Sequence, residues 1–301
     1  MKVENEKQKQ VESFWDAKPC DSDRSSRSQE TQEYFLEIEN DRYGLQSHIK
    51  EVLGWLRWSG KSVLEIGTGV GTDARCIIAK GGVYTGVNVD QGSTDLTARA
   101  LTVFGLRGVV QKASATALPF PDATFDVVYS FGVLHHIPAV DEAVSEIYRV
   151  LKPGGVFVVM VYNRTSINYY VEILLFRRLF QRLLLLPGSI SLLSRLGFPK
   201  KKLKRHQELY RTFGRMSDEE WLSRNTDGPD NPYSKVYGRA EIEGILHQFR
   251  IQRNEVRFFD YRHWGVFGRL LPRFVVDALG KCWGWHRVVY ANKPTGTAEC
   301  R

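Results

Sequence analysis

Cysteine is scarce and scattered. Cys20, Cys76, Cys282 and Cys300 are the four in 301 residues, with neither the C-x-x-C spacing of a zinc or redox site nor the density of a disulfide scaffold. A reducing compartment and no metal are expected. Met1 to Gln10 is charged and lacks the apolar run and small-residue cleavage site of a secretory signal. Long uncharged apolar windows are missing too, because the most hydrophobic stretch, Ile173 to Leu196, is broken by Arg177, Arg178, Arg182 and Arg195. That excludes an ordinary spanning helix, and the chain reads as cytoplasmic, with membrane-peripheral attachment the variant. No internal repeat is visible.

Hydrophobic residues make up 43% and charged residues 25% of the chain, and the formal net charge is +8. Such a chain can bury one large α/β core with sequence left for a smaller elaboration. The charge is unevenly placed. Between Arg164 and Arg215 twelve Lys or Arg face only Glu172 and Glu208, a net +10, so any electrostatic function belongs to this segment.

Residues 1–59 read as an arm and cap. The first thirty are polar and expected to be flexible, except that Phe14-Trp15 is too aromatic for a linker and suits a lid. Tyr34 to Trp58 carries apolar residues at helical spacing. Residues 60–164 then alternate: strands at Ser62–Ile66, Val83–Val89, Val109–Ala113, Phe125–Ser130 and Val156–Val161, with helices at Asp73–Lys80, Ser93–Phe104 and Asp141–Leu151. This alternation predicts a doubly wound parallel sheet. Residues 165–235 interrupt it with a basic helical insertion, and 236–301 resume it with a helix at Arg239–His247 and strands at Ile251–Phe259 and Arg287–Ala291.

Val63-Leu-Glu-Ile-Gly-Thr-Gly-Val-Gly-Thr-Asp73 places three glycines where a buried strand turns into a helix. Glycine admits close approach of a ligand, and the helix start offers free N–H groups. A dinucleotide site wants G-x-G-x-x-G, whereas Thr72 stands at the third glycine. Glu65 on the incoming strand would repel a pyrophosphate and suits a ligand bearing an ammonium group.

This turn, with Leu118-Pro-Phe-Pro-Asp122, Phe125-Asp-Val-Val128, Val133-Leu-His-His-Ile137 and Leu151-Lys-Pro-Gly-Gly155, resembles the class I, type 11 methyltransferases over about residues 60–162. The resemblance implies a seven-stranded Rossmann-like sheet, here with a helical N-terminal arm and a helical insertion after strand five, and S-adenosyl-L-methionine as cofactor. It implies that Gly67, Thr68 and Gly69 lie beneath the methionyl part with Glu65 near its amino group, that Asn88 takes the ribose hydroxyls, and that Val89 and Ala115 frame the adenine. Asn88 replaces the family's usual Asp or Glu, which would recruit Asp90, and Ser114 stands where an Asp often receives the adenine amine. Losing such charge-assisted bonds costs affinity on the order of 1 to 3 kcal/mol.

Phe131 to His136 follows the fourth strand at the carboxyl edge, where open α/β sheets place ligands. Phe131 is a candidate cofactor contact. His135 and His136 are candidate bases, with positioning or packing an equal reading. Methyl transfer to O, N or C of a small or mid-sized hydrophobic metabolite, of natural-product, quinone or isoprenoid type, is the expected function. The alternatives are a non-methylating cyclase or binding protein on this fold, or a membrane-surface lipid methyltransferase. The basic segment reads as a solvated cap or as a peripheral contact with anionic membrane through 164–215. Nucleic acid is the least favoured partner, since the slot for Asn/Asp-Pro-Pro-Tyr reads Ser130-Phe-Gly-Val133.

Overall fold

The computed structural model describes residues 2–261, 268 and 270–295; Cys300 lies outside them. Strands β1 (Ser62–Ile66), β2 (Val83–Asn88), β3 (Val109–Lys112), β4 (Phe125–Phe131), β5 (Leu151–Tyr162), β6 (Arg250–Arg257) and β7 (His286–Asn292) form one sheet in the order β3-β2-β1-β4-β5-β7-β6. The first five run parallel, and β7 is antiparallel to both β5 and β6. The sheet is thus mixed, where strand and helix alternation alone predicts a wholly parallel one. Strand order reverses between β1 and β4, which opens a crevice at their carboxyl ends.

Pleating sends alternate residues of each strand to opposite faces. Leu64, Val128, Phe157 and Val159 pack on one face against Ala143 and Ile147 of α6 (Val140–Val150) and Ile242 of α11 (Arg239–Ile245). Val63, Val127, Tyr129 and Val158 pack on the other, against Ile77 of α4 (Thr72–Ala79) and Val52 and Leu53 of α3 (His48–Trp55). Near-continuous apolar strands are what two covered faces require. Strand β5 starts at Leu151, earlier than apolar patterning suggests, because Lys152-Pro-Gly-Gly155 is absorbed as a register shift between the Phe125–Leu151 and Val127–Val156 pairs.

The amino end is helical as α1 (Lys2–Ala17), where its polar composition predicts a flexible arm. Contacts that composition cannot show hold it. The Asp16 carboxylate accepts from the backbone N–H groups of Gln91 and Gly92 at 3.0 and 2.8 Å, Glu12 pairs with Lys112 at 2.6 Å, and Val11 is buried. Helix α2 (Gln32–Leu45) buries Tyr34, Phe35 and Ile38 against Val70 and against Leu96 and Ala100 of α5 (Gln91–Val103).

The insertion begins with a π-helical segment (Asn168–Phe176) and continues as α7 (Arg177–Leu185), α8 (Ser189–Arg195), α9 (Lys200–Phe213) and α10 (Asp218–Arg224). It has its own core of Ile173, Leu184, Leu193, Leu203, Tyr210 and Trp221, which Tyr162 at the end of β5 joins. Helix α12 (Arg273–Trp283) precedes β7. Among the described residues no helix is long and apolar enough to cross a membrane.

At the amino-terminal edge of the sheet, Asp126 ties β4 to β1. Its carboxylate accepts from the Ser62 N–H at 2.8 Å and the Ser62 hydroxyl at 2.7 Å, and pairs with Lys152 at 3.1 Å. Burial pulls this carboxyl upward, but the Ser62 and Lys152 contacts outweigh it and hold it at about 2, below its ordinary 3.8. A depressed pKa contributes stability that is present above the ordinary value and lost as pH falls through the folded one. Asp126→Asn should therefore lower the thermal midpoint at pH 7, and the difference from wild type should shrink between pH 3.8 and 2 when both are followed by circular dichroism.

Candidate functional site

The turn after β1 is built from left-handed glycines: Gly67, Gly69 and Gly71 have φ of +78°, +56° and +75°. At Gly67 a Cβ would stand 2.2 Å from Val133 Cγ2, so a side chain there is excluded by both backbone and space. A relay of hydrogen bonds holds the turn. The Thr68 N–H donates to Asn88 Oδ1 at 2.7 Å, while Asn88 Nδ2 donates to Thr68 Oγ1 at 2.8 Å. Thr68 Oγ1 lies 2.6 Å from Thr97 Oγ1, whose hydroxyl donates to the Gly69 carbonyl at 3.0 Å.

Asn88 is thereby committed to the turn. Its amide accepts from and donates to Thr68, which a carboxylate could not do. Asn88 thus clamps the turn while lining the cavity. Asp90, next along the crevice, lines the cavity and caps α5 through Ser93 N–H at 2.6 Å.

Above the turn lies a cavity of about 680 Å³, in the usual range of ligand pockets. Glu65, Gly67, Thr68, Gly69, Asn88, Val89, Asp90, Ser114, Ala115 and Phe131 all line it. Ser114 shares its hydroxyl with Thr116 at 2.8 Å.

One end is acidic. The buried Glu65 accepts from the Tyr84 hydroxyl at 2.5 Å, and burial first, then the neighbouring Asp73, raises its carboxyl well above the usual range. Asp73 accepts from the hydroxyls of Tyr43 at 2.9 Å and Tyr129 at 3.0 Å and pairs with Arg42 at 3.1 Å. Burial opposes the charge of Arg42, yet Asp73 and Asp21 more than offset it and push its pKa up. Its Nε is buried with no partner among the described residues. Sequence reasoning missed Arg42, whose bond to Asp73, 31 positions away, no local spacing encodes.

Aromatic rings also line the cavity: Trp15 of α1, Phe131, Tyr162, Phe258 and Trp285. Tyr162 stacks on Trp285 with centroids 4.4 Å apart. Phe258 adopts φ +67°, a strained conformation for a bulky side chain and one that clusters at functional sites.

Of the two histidines, His136 lines the cavity and His135 does not. His135 is fully buried with both ring nitrogens unpartnered among the described residues, stacked on Tyr162 at 3.7 Å. Burial, then His136 and His286, lowers its pKa well below the ordinary value. It is a packing residue, which corrects its assignment as a candidate base.

His136 Nδ1 is 2.8 Å from the Tyr233 carbonyl, which can only accept. The neutral ring therefore carries its proton on Nδ1 and a lone pair on Nε2. Nε2 lies 3.5 Å from Asp227 Oδ2, and the Tyr162 hydroxyl donates to Asp227 Oδ1 at 2.7 Å. Asp227 was also missed, since its turn-rich stretch signals only a loop; the insertion brings it to the cavity wall. Among the described residues no group of His, Cys, Asp and Glu is arranged to hold a metal ion.

Sheet order, crevice and glycine turn together define a class I, Rossmann-like methyltransferase core. Residues 64–159 match the methyltransferase domain family. The chain is similar to a sterol 24-C-methyltransferase of Gibberella zeae, 36% identical over 111 residues, covering 36% of this chain and 29% of that protein. It is likewise similar to a sterol 4-C-methyltransferase of Caenorhabditis elegans, 36% identical over 109 residues, covering 36% of this chain and 32% of the relative. The match thus spans about a third of these curated relatives. Among solved structures, a putative methyltransferase in complex with the Trm112 activator from Haloferax volcanii aligns at TM-score 0.55 and 13% identity, covering 87% of this chain and 95% of that one. The [4+2]-cyclase SpnF aligns at 0.52 and 16%, covering 98% and 96%. The fold alone therefore does not decide the chemistry. Domain family and fold imply S-adenosyl-L-methionine as cofactor.

The clamp makes a test with opposite outcomes. If Asn88 met the ribose, Asn88→Asp would strengthen cofactor binding; because the amide holds the turn, the change should weaken S-adenosylhomocysteine binding about tenfold, the scale of one or two hydrogen bonds. Calorimetry reads the difference.

Proposed function

We infer that this chain transfers a methyl group from S-adenosyl-L-methionine to a hydrophobic acceptor of sterol or isoprenoid type. The observation that carries the reading is one cavity lined both by Glu65 and Asp73 beside the glycine turn and by Trp15, Tyr162, His136 and Asp227. The carboxylates Asp21, Asp23, Glu65, Asp73, Asp90, Asp227 and Asp260 line it against Lys18, Arg24 and Arg42. This excess of negative charge suits a ligand carrying ammonium and sulfonium groups. The unpartnered Nε of Arg42 suits the ligand's carboxylate.

Glu65 and Arg42 would hold the two ends of the amino-acid part, with Gly67, Thr68 and Gly69 beneath it. Val89, Asp90, Ser114 and Ala115 would frame the nucleoside. When bound, this cofactor supplies an electrophilic methyl on a good leaving group. The aromatic wall would exclude water and face any positive charge that develops on the acceptor. His136 Nε2 would take the proton that leaves a methylated acceptor, and Asp227 would balance the imidazolium. Tyr162, whose hydroxyl burial and Asp227 keep protonated, would hold Asp227 in place. The relatives named for C-methylation of sterols favour carbon as the acceptor atom.

Incubation with methyl-labelled cofactor should transfer label to a sterol or isoprenoid extract and release S-adenosylhomocysteine. Label in RNA or protein alone would overturn the acceptor class, and no S-adenosylhomocysteine with any acceptor would overturn methyl transfer. His136→Ala and Asp227→Asn should each lower turnover by about 10²-fold or more, the usual contribution of a positioned base, while leaving cofactor affinity within a few-fold.

A further inference from the structure

The insertion presents an outer face that neither the cavity nor the sheet uses. On α7, Leu179, Leu183 and Leu186 follow one another at helical spacing and are exposed, whereas Leu184 on the opposite side is fully buried. Leu192, Leu196 and Phe198 around α8 are also exposed, Leu196 to 69%. These helices pack on one another through Leu184, Leu193 and Leu203, and Gln207 of α9 donates to the Leu184 carbonyl at 2.6 Å. Directly after Phe198, α9 opens with Lys200, Lys201, Lys202 and Lys204, all exposed. None of these lysines, nor Arg182 or Arg195, has a carboxylate partner among the described residues; Arg205 pairs with Asp230 and Arg178 with Asp218.

We propose that this face docks on an anionic lipid bilayer, its leucines and Phe198 entering the boundary between headgroups and acyl chains and its cations lying among the phosphates. Exposed aliphatics in this number on one unit mark an interaction surface, and leucines interleaved with lysine and arginine match the amphipathic pattern of interfacial helices. Charge selects the occupant. A second copy would bring its own net +10 segment against this one, which like-charge repulsion opposes. Nucleic acid would satisfy the lysines and leave the leucines in water. An anionic membrane answers both. The inference concerns a surface away from the cavity and does not rest on the acceptor assigned above.

Flotation of the full chain tests it, with vesicles of phosphatidylcholine alone and of equimolar phosphatidylcholine and phosphatidylglycerol. Wild type should float with the anionic vesicles only, and less as sodium chloride rises. Exchange of Lys200, Lys201, Lys202 and Lys204 for Gln should reduce partitioning at least about tenfold. Leu196→Ser with Phe198→Ser should reduce it comparably. Both are surface changes, and unchanged S-adenosylhomocysteine affinity would show that they fold. Failure of wild type to float overturns the proposal without recourse to any variant. So does undiminished flotation of both variants, wild type that dimerises through this face without vesicles, or retention on duplex RNA in place of vesicles. Loss of cofactor binding by wild type would instead count against the methyltransferase reading and leave the flotation result standing.

Discussion

The relay from Asn88 through Thr68 and Thr97 to the Gly69 carbonyl is the interaction on which the site depends. It joins the end of β2, the turn after β1 and the middle of α5, beside the β1–β4 reversal in strand order. Glycines that permit a left-handed turn do not by themselves specify one, because they leave many other conformations open. The relay selects among them. With the turn set, Val70 becomes a contact for α2, and α2 in turn delivers Arg42 to Asp73. Arg42, on the cavity wall, is thus placed by the same packing that closes the turn.

The cavity's electrostatics follow from that arrangement. Glu65 and Asp73 sit together in a place where burial penalises charge, and Arg42 offsets only part of the repulsion. Glu65 is held toward its neutral form, so a cationic ligand supplies charge that the protein lacks. The aromatic lining is built on other terms. Phe258 is held at positive φ, and Tyr162 stacks on both His135 and Trp285. His136 and Asp227 line the same cavity.

What the sequence made legible was what local rules control. The apolar strands, the glycine turn and the helices that follow each are set by residues within a few positions of one another, and the structure places them within a few residues of the expected bounds. The antiparallel β7 was not legible, because nothing in His286–Asn292 distinguishes one strand direction from the other. Arg42, Tyr162, Asp227 and Trp285 escaped notice for a related reason: their roles arise from convergence across the chain, and no spacing encodes it. The contacts of Asn88 with Thr68 were not legible, since an amide at the end of β2 can face outward to a ligand or inward to the turn. Helix α1 was obscured because its stabilising contacts lie with Gln91, Gly92 and Lys112.

The insertion carries a consequence for how this chain's specificity is organised. Asn231 donates to the hydroxyls of Ser234 at 2.7 Å and Thr226 at 3.1 Å, and Ser234 N–H donates to Ser223 at 2.8 Å. This knot fixes the loop bearing Asp227, and the same segment offers the Tyr233 carbonyl that sets the tautomer of His136. Asn231-Pro-Tyr233 is therefore a structural element of the insertion, which agrees with its place outside the slot that base-methylating enzymes use. It also means that His136, which follows β4, is oriented by a unit with a hydrophobic core separate from that of the sheet. The glycine turn belongs to the sheet, whereas Asp227 and the Tyr233 carbonyl that His136 meets belong to the insertion. Through the Asp227 loop and through Tyr162, which joins the insertion's core, packing inside the insertion is thus connected to the cavity wall.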